Sequence, residues 1–125
     1  MGVIHKFKGQ HGGFDWEGVA ITKYPNERAR DVIKKQMIGP DDGAQHFDMR
    51  YFEVAPGGYT SFDNHTHDHG VLVVRGRGKV RLGKEKYDIG FGDIIYISPN
   101  DDHQFENNYD EPLGFICVIP PKKKK

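Results

Sequence analysis

The sequence is poor in the features that mark secreted, membrane or nucleic-acid-binding proteins. It has one cysteine, Cys117, so no internal disulfide can form and a reducing compartment is expected. No apolar run of signal-peptide length follows Met1, and no stretch approaches the roughly 20 apolar residues of a membrane span. A cytoplasmic protein with no membrane partner is the expectation. An excess of one charge is also missing: 18 Lys and Arg balance 18 Asp and Glu. Domains that grip phosphate backbones carry a basic excess, so no nucleic-acid partner is expected. The basic run Lys122 to Lys125, after Pro120-Pro121, reads as a solvated tail over residues 121–125. What the chain does have is 16 glycines and 7 prolines punctuating short apolar runs, in 125 residues. That length suits one core, and that punctuation suits short strands.

Strand follows strand from Gln45 onward. His46 to Val54 alternates apolar and polar residues before Pro56-Gly57-Gly58, a turn signal. Val71 to Val74 ends at Gly76-Arg77-Gly78, Lys79 to Leu82 alternates before Gly83, and Ile94 to Ile97 stops at Ser98-Pro99-Asn100. Phe105 opens a short piece, and Leu113 to Ile119 supplies the last strand. The pattern predicts an all-β antiparallel sandwich or barrel. Residues 1–40 are the least regular, and Asn26 to Gln36 reads equally as a short helix or as a strand through Val32 and Ile33.

Three of the seven histidines fall in His65-Thr66-His67-Asp68-His69. In an extended strand, residues two apart share a face, which would put Asp63, His65, His67 and His69 on one side. Neutral imidazoles so close suit a shared cation, since each ring offers a nitrogen lone pair. The same triplet also describes a polar strand edge in water. His103, just after the turn Ser98 to Asp102, is by itself more often a surface or capping residue than a ligand.

Taken together, these residues resemble the two motifs of the cupin superfamily over roughly residues 44–120. The first motif falls on Gly57, Asp63, His65, His69 and Gly76, and the second on Gly92, Ser98, Asn100, His103 and Asn107. Asp63 stands where a histidine is usual and His69 where a glutamate is usual. Ser98 and Asn100 replace Pro and Gly, the latter mildly because Asn tolerates the left-handed conformation. A second alignment takes His65-Thr66-His67 as the His-x-His pair. The resemblance implies a jelly-roll (double-stranded β-helix) barrel over residues 41–120 with an irregular N-terminal extension over 1–40. It implies one divalent transition metal on His65, His69 and His103, with His67 as fourth ligand and Asp63 as fallback or as a residue supporting the ligands. An imidazole in place of the carboxylate favours iron, nickel, copper, zinc or cobalt over magnesium, with manganese still open. Small cupins commonly pair through N-terminal strands, which implies a homodimer with residues 1–40 at its contact.

Phe105 shares strand parity with His103 and is expected, with Asp63, to line the substrate pocket. Cys117 lies on the last apolar strand and reads as core packing, or as a soft neighbour of the metal if it points inward. Arg50 is either an inward anion clamp or, slightly preferred, a solvent-facing strand residue. Arg75, Arg77, Lys79 and Arg81 read as a solvated hairpin, and His5, His11 and His46 show no ligand spacing. The expected function is a small metalloenzyme, of dioxygenase, decarboxylase or isomerase type, acting on a small organic acid, phenol or sugar-derived substrate. In that role Asp63 is the candidate for proton transfer. The alternative is a non-catalytic cupin that binds a small ligand.

Overall fold

The computed structural model describes residues 2–24 and 27–121. The basic run Lys122 to Lys125 and Asn26 of the segment read as helix or strand lie outside the described residues. Among the described residues nine strands follow in chain order: β1 (Ile21–Lys23), β2 (Arg30–Ile38), β3 (Asp48–Tyr59), β4 (His69–Arg75), β5 (Arg77–Leu82), β6 (Glu85–Gly90), β7 (Ile94–Ile97), β8 (His103–Glu106) and β9 (Leu113–Ile119). They form one antiparallel sheet of order β6-β5-β8-β3-β9-β4-β7, with β2 also on β3 and β1 on β2. The sheet curls, and its inward side chains form the core, among them Val54, Val73, Val80, Ile97, Leu113 and Phe115. No helix among the described residues is long and apolar enough to cross a membrane.

The N-terminal ambiguity resolves in favour of a strand. β2 pairs antiparallel with β3 from Val32↔Val54 to Gln36↔Arg50, so long-range pairing decides what local pattern left open. Ahead of it, Phe14 stacks on the fully buried Tyr51 at 5.8 Å and Trp16 meets the same ring edge-on at 5.3 Å. The buried Lys35 is neutralised there, donating to the Phe14 carbonyl at 2.6 Å and to Asp15 Oδ1 at 2.5 Å.

Two further expectations change. Pro56-Gly57-Gly58 does not reverse the chain but lies inside β3. Gly57 takes φ +81°, and its N–H donates to the Asn107 carbonyl at 2.9 Å while Asn107 N–H donates to Gly58 O at 3.0 Å. A glycine bend therefore carries one long strand from β9, its partner over Asp48 to Val54, to β8, its partner at Tyr59. β6 has no counterpart in the sequence reading. Its Glu85, Lys86, Tyr87 and Asp88 are exposed and only Ile89 is buried, too little of an apolar face to mark a strand by pattern. It forms because the chain reverses at Gly83, φ +63°, which sets Leu82 opposite Glu85.

Candidate metal centre

His69 opens β4 and His103 opens β8. The two strands are not neighbours in the sheet, but its curl brings the rings to a centroid separation of 4.9 Å. His65 lies 5.4 Å from each. It is not on a strand, and neither is His67, since residues 64–68 form a loop leading into β4. Backbone contacts hold that loop in place: Asp63 N–H donates to His103 O at 3.0 Å, His103 N–H returns to Asp63 O at 2.9 Å, and Asn100 N–H donates to His65 O at 2.6 Å. Asn100 makes its contact in the left-handed conformation, φ +68°, as expected of the residue replacing the motif glycine. At the far end of the second motif, Asn107 is a staple. Its fully buried amide donates to Val54 O at 3.0 Å and Glu111 O at 2.7 Å, and its Oδ1 accepts from Tyr109 N–H at 2.9 Å.

One ligand atom each from His65, His69 and His103 lies within 4.8 Å of the others, a spacing one ion can bridge. His103 Nδ1 is 3.0 Å from the Asp101 carbonyl. A carbonyl only accepts, so Nδ1 carries the proton and Nε2 keeps its lone pair. His69 Nδ1 lies 3.3 Å from Cys117 Sγ, and its Nε2 is buried with no hydrogen-bond partner. A buried imidazole nitrogen left without a partner in a cluster of imidazoles fits a cation and little else. His67 stacks on His65 at 5.2 Å and on His69 at 4.8 Å, but its nitrogens are not among the three that gather.

Burial favours in His65, His67 and His69 the neutral form a metal requires. Burial lowers the pKa of His69 to about 3, helped by repulsion from His103 and His67 and by the Arg50 charge. Burial also lowers His65, with His103 the next cause, and His67, with Arg50 the next cause. In the unfolded chain these rings titrate near 6.5, so below that pH the unfolded state takes up more protons than the folded one. The stabilisation is complete above about pH 6.5 and drains away as pH falls towards 3. For chelator-treated protein, the His69 contribution lost between about pH 6.5 and 4.5 is on the order of 1–2 kcal/mol, discounted for water in the cavity. Urea midpoints measured across that range should fall more steeply for the parent than for His69→Gln.

The cluster forms one wall of an open cavity of about 450 Å³, counting its mouth. Phe52, Phe105 and Phe115 make the apolar side, and Tyr24, Thr60, Ser61 and Asp63 the polar side. Phe105 and Asp63 both line this cavity. The Asp63 carboxylate does not join the cluster: it accepts from Ser61 Oγ and, at 3.1 Å, from Arg28. Tyr24 OH lies 3.1 Å from Ser61 Oγ. Neither Tyr24 nor Ser61 stood out in the sequence, because both lie outside the motif positions and meet only through the fold. Cys117 faces the cavity, its thiol pKa raised by burial. Arg50 corrects the preferred solvent-facing reading, since it too lines the cavity. The hairpin cations have partners within the chain: Arg75 with Glu53 at 2.7 Å, Lys79 with Asp88 at 2.9 Å, Arg77 over Tyr109 and Arg81 over Phe62.

A curled antiparallel sheet that gathers three histidines able to hold a metal ion defines a jelly roll. The chain belongs to the cupin family, whose cupin-domain model matches residues 50–119. It is 32% identical over 114 residues to the 1-methylthio-D-xylulose 5-phosphate methylsulfurylase of Rhodospirillum rubrum, covering 90% of this chain and 72% of that protein. Among solved structures, a cupin-2 domain protein of Rhodospirillum rubrum superposes with TM-score 0.81 at 31% identity, covering 90% of this chain and 76% of the other. A cupin 2 conserved barrel domain protein of Rhodopseudomonas palustris gives 0.77 at 33% identity, covering 88% and 77%.

Proposed function

We propose that the chain is a metal-dependent cupin enzyme acting on a small, oxygen-rich organic substrate of the sugar-phosphate or hydroxy-acid kind. The observation that carries this reading is the set of three gathered histidines, one with an orphaned buried nitrogen, opening onto a cavity with a polar wall. His65, His69 and His103 would hold the metal, with His67 beside them as the fourth imidazole. A divalent ion there would supply Lewis-acid charge to substrate oxygens. The similarity to a protein named for a methylthio-xylulose phosphate supports a phosphorylated sugar as first choice of substrate.

The chain's own residues supply the proton path. Ser61 Oγ donates to Asp63, so it accepts from Tyr24 OH. The resulting order, Tyr24 to Ser61 to Asp63, lets the carboxylate receive a proton released at the cavity wall and return it through the phenol. Arg28 keeps that carboxylate oriented. The aromatic side excludes water from the carbon skeleton of a bound substrate.

The test is elemental analysis of protein purified without chelator, followed by turnover assays on phosphorylated ketoses, with and without a methylthio group, and on hydroxy acids. Near-stoichiometric manganese, iron, cobalt, nickel, copper or zinc with turnover of one class is the expected result. If none of these ions is retained after reconstitution, the metalloenzyme reading falls and a ligand-binding cupin takes its place.

A further inference from the structure

Arg50 lines the cavity and, among the described residues, has no carboxylate partner. It sits on β3 opposite Cys117 of β9, with its side chain in the cavity. Nη2 is 3.2 Å from Cys117 Sγ, a weak acceptor, and the guanidinium lies over the Phe52 ring at 4.9 Å. Nε is buried with no hydrogen-bond partner. No carboxylate among the described residues lies within ion-pair distance of it. Asp48, two residues back on β3, has its own Oδ1 unpartnered. Two other enclosed cations do have carboxylate partners, Lys35 with Asp15 and Arg75 with Glu53. A partly buried cation with an unfilled donor costs stability unless something completes it. A metal on the neighbouring histidines would add further positive charge.

We infer that Arg50 is the anion-binding group of this cavity: the substrate carries a phosphate or carboxylate that docks on its guanidinium while the oxygen-bearing carbons face His65, His69 and His103. The planar fork of N–H donors matches either anion. The Cys117 sulfur touched by Arg50 also lies 3.3 Å from His69 Nδ1, so the two ends of the site are one sulfur atom apart. A compact molecule with its anion a few bonds from the reacting oxygens spans them. Phe105 and Phe115, stacked at 4.2 Å, wall the carbon chain between. This inference deepens the proposed function and rests on it for the word substrate, while the anion site itself can be tested without any metal.

The experiment is calorimetric titration of chelator-treated protein with inorganic phosphate and, separately, with acetate at about pH 8, where free imidazoles are neutral. The parent, Arg50→Gln and Arg50→Lys are compared, and metal uptake by each is measured in parallel. One of the two anions should bind the parent, weaken at least about 10-fold in Arg50→Gln and partly recover in Arg50→Lys. The tighter probe names the charged group. A measurement on the parent alone guards against a misfolded variant: the anion should protect Arg50 from phenylglyoxal, read by peptide mass spectrometry. Anion binding that is equal in Arg50→Gln, that appears only in metal-loaded protein, or that leaves Arg50 unprotected overturns the inference while metal uptake stands. Arg50-dependent anion binding in a protein that takes up no metal upholds it while the metalloenzyme reading fails.

Discussion

Alanine at His69 or at His103 lowers the affinity for a divalent transition metal by about 100-fold or more, measured by competition with a chromophoric chelator. Changing residues that merely support a ligand already costs about 10–100-fold, and a ligand itself contributes more. Both rings are buried, His103 is locked in one tautomer by Asp101 and His69 has no hydrogen-bond partner for Nε2. The loss also appears in stability. Metal at about 100 times its parent Kd stabilises the folded protein by roughly 2.7 kcal/mol, whereas the same concentration stabilises a variant bound 100-fold more weakly by only about 0.4 kcal/mol. His67→Ala is the informative control: its nitrogens lie outside the gathered set, and its affinity should fall by no more than about 10-fold. A loss at His67 as large as at His69 would make it a full ligand.

Gly76→Ala destabilises the protein by about 3 kcal/mol or more, which for a chain of this size lowers Tm by on the order of 10 °C. Gly76 joins β4 to β5 at φ +67°, and a Cβ there would overlap the Pro112 carbonyl oxygen. Backbone has to move to admit it, and that backbone leads directly into β9. Gly43 separates the two causes: its φ is +85°, but a Cβ there meets nothing within 4 Å, so Gly43→Ala should cost only about 1 kcal/mol. Equal melting temperatures for the two variants would mean the turn yields and the clash is relieved. The site should feel the larger change. β4 and β9 are paired from Gly70↔Val118 to Arg75↔Gly114, so a displaced turn shifts Cys117 against His69 and weakens metal binding far from any ligand.

Much of the fold was legible because apolar runs, glycines and prolines report local backbone demands. Val71 to Val74, Ile94 to Ile97 and Leu113 to Ile119 are strands for the reason the pattern implies: one set of their side chains must leave water. The reading missed where local signals had two outcomes. Pro56-Gly57-Gly58 can reverse a chain or bend a strand, and pairing with β8 decides for the bend. β6 buries only Ile89 and exposes Glu85 to Asp88, so its hairpin partner rather than its own pattern makes it a strand.

By itself, the sequence determined an all-β single core, the grouping of His65, His67 and His69, and the cupin motif frame that linked them to His103. These are statements about spacing along one chain, which spacing can carry. Tertiary structure alone decided which imidazole nitrogens gather, that His65 and His67 stand on a loop, and that Arg50 and Cys117 face the cavity. It also decided that Tyr24 and Ser61 join Asp63. Those facts depend on the curl of a sheet whose strands β4 and β8 touch without being neighbours. The direction of a strand's inner face is set by what packs on its outer one, here Phe14 and Trp16 on Tyr51, contacts between residues far apart in sequence.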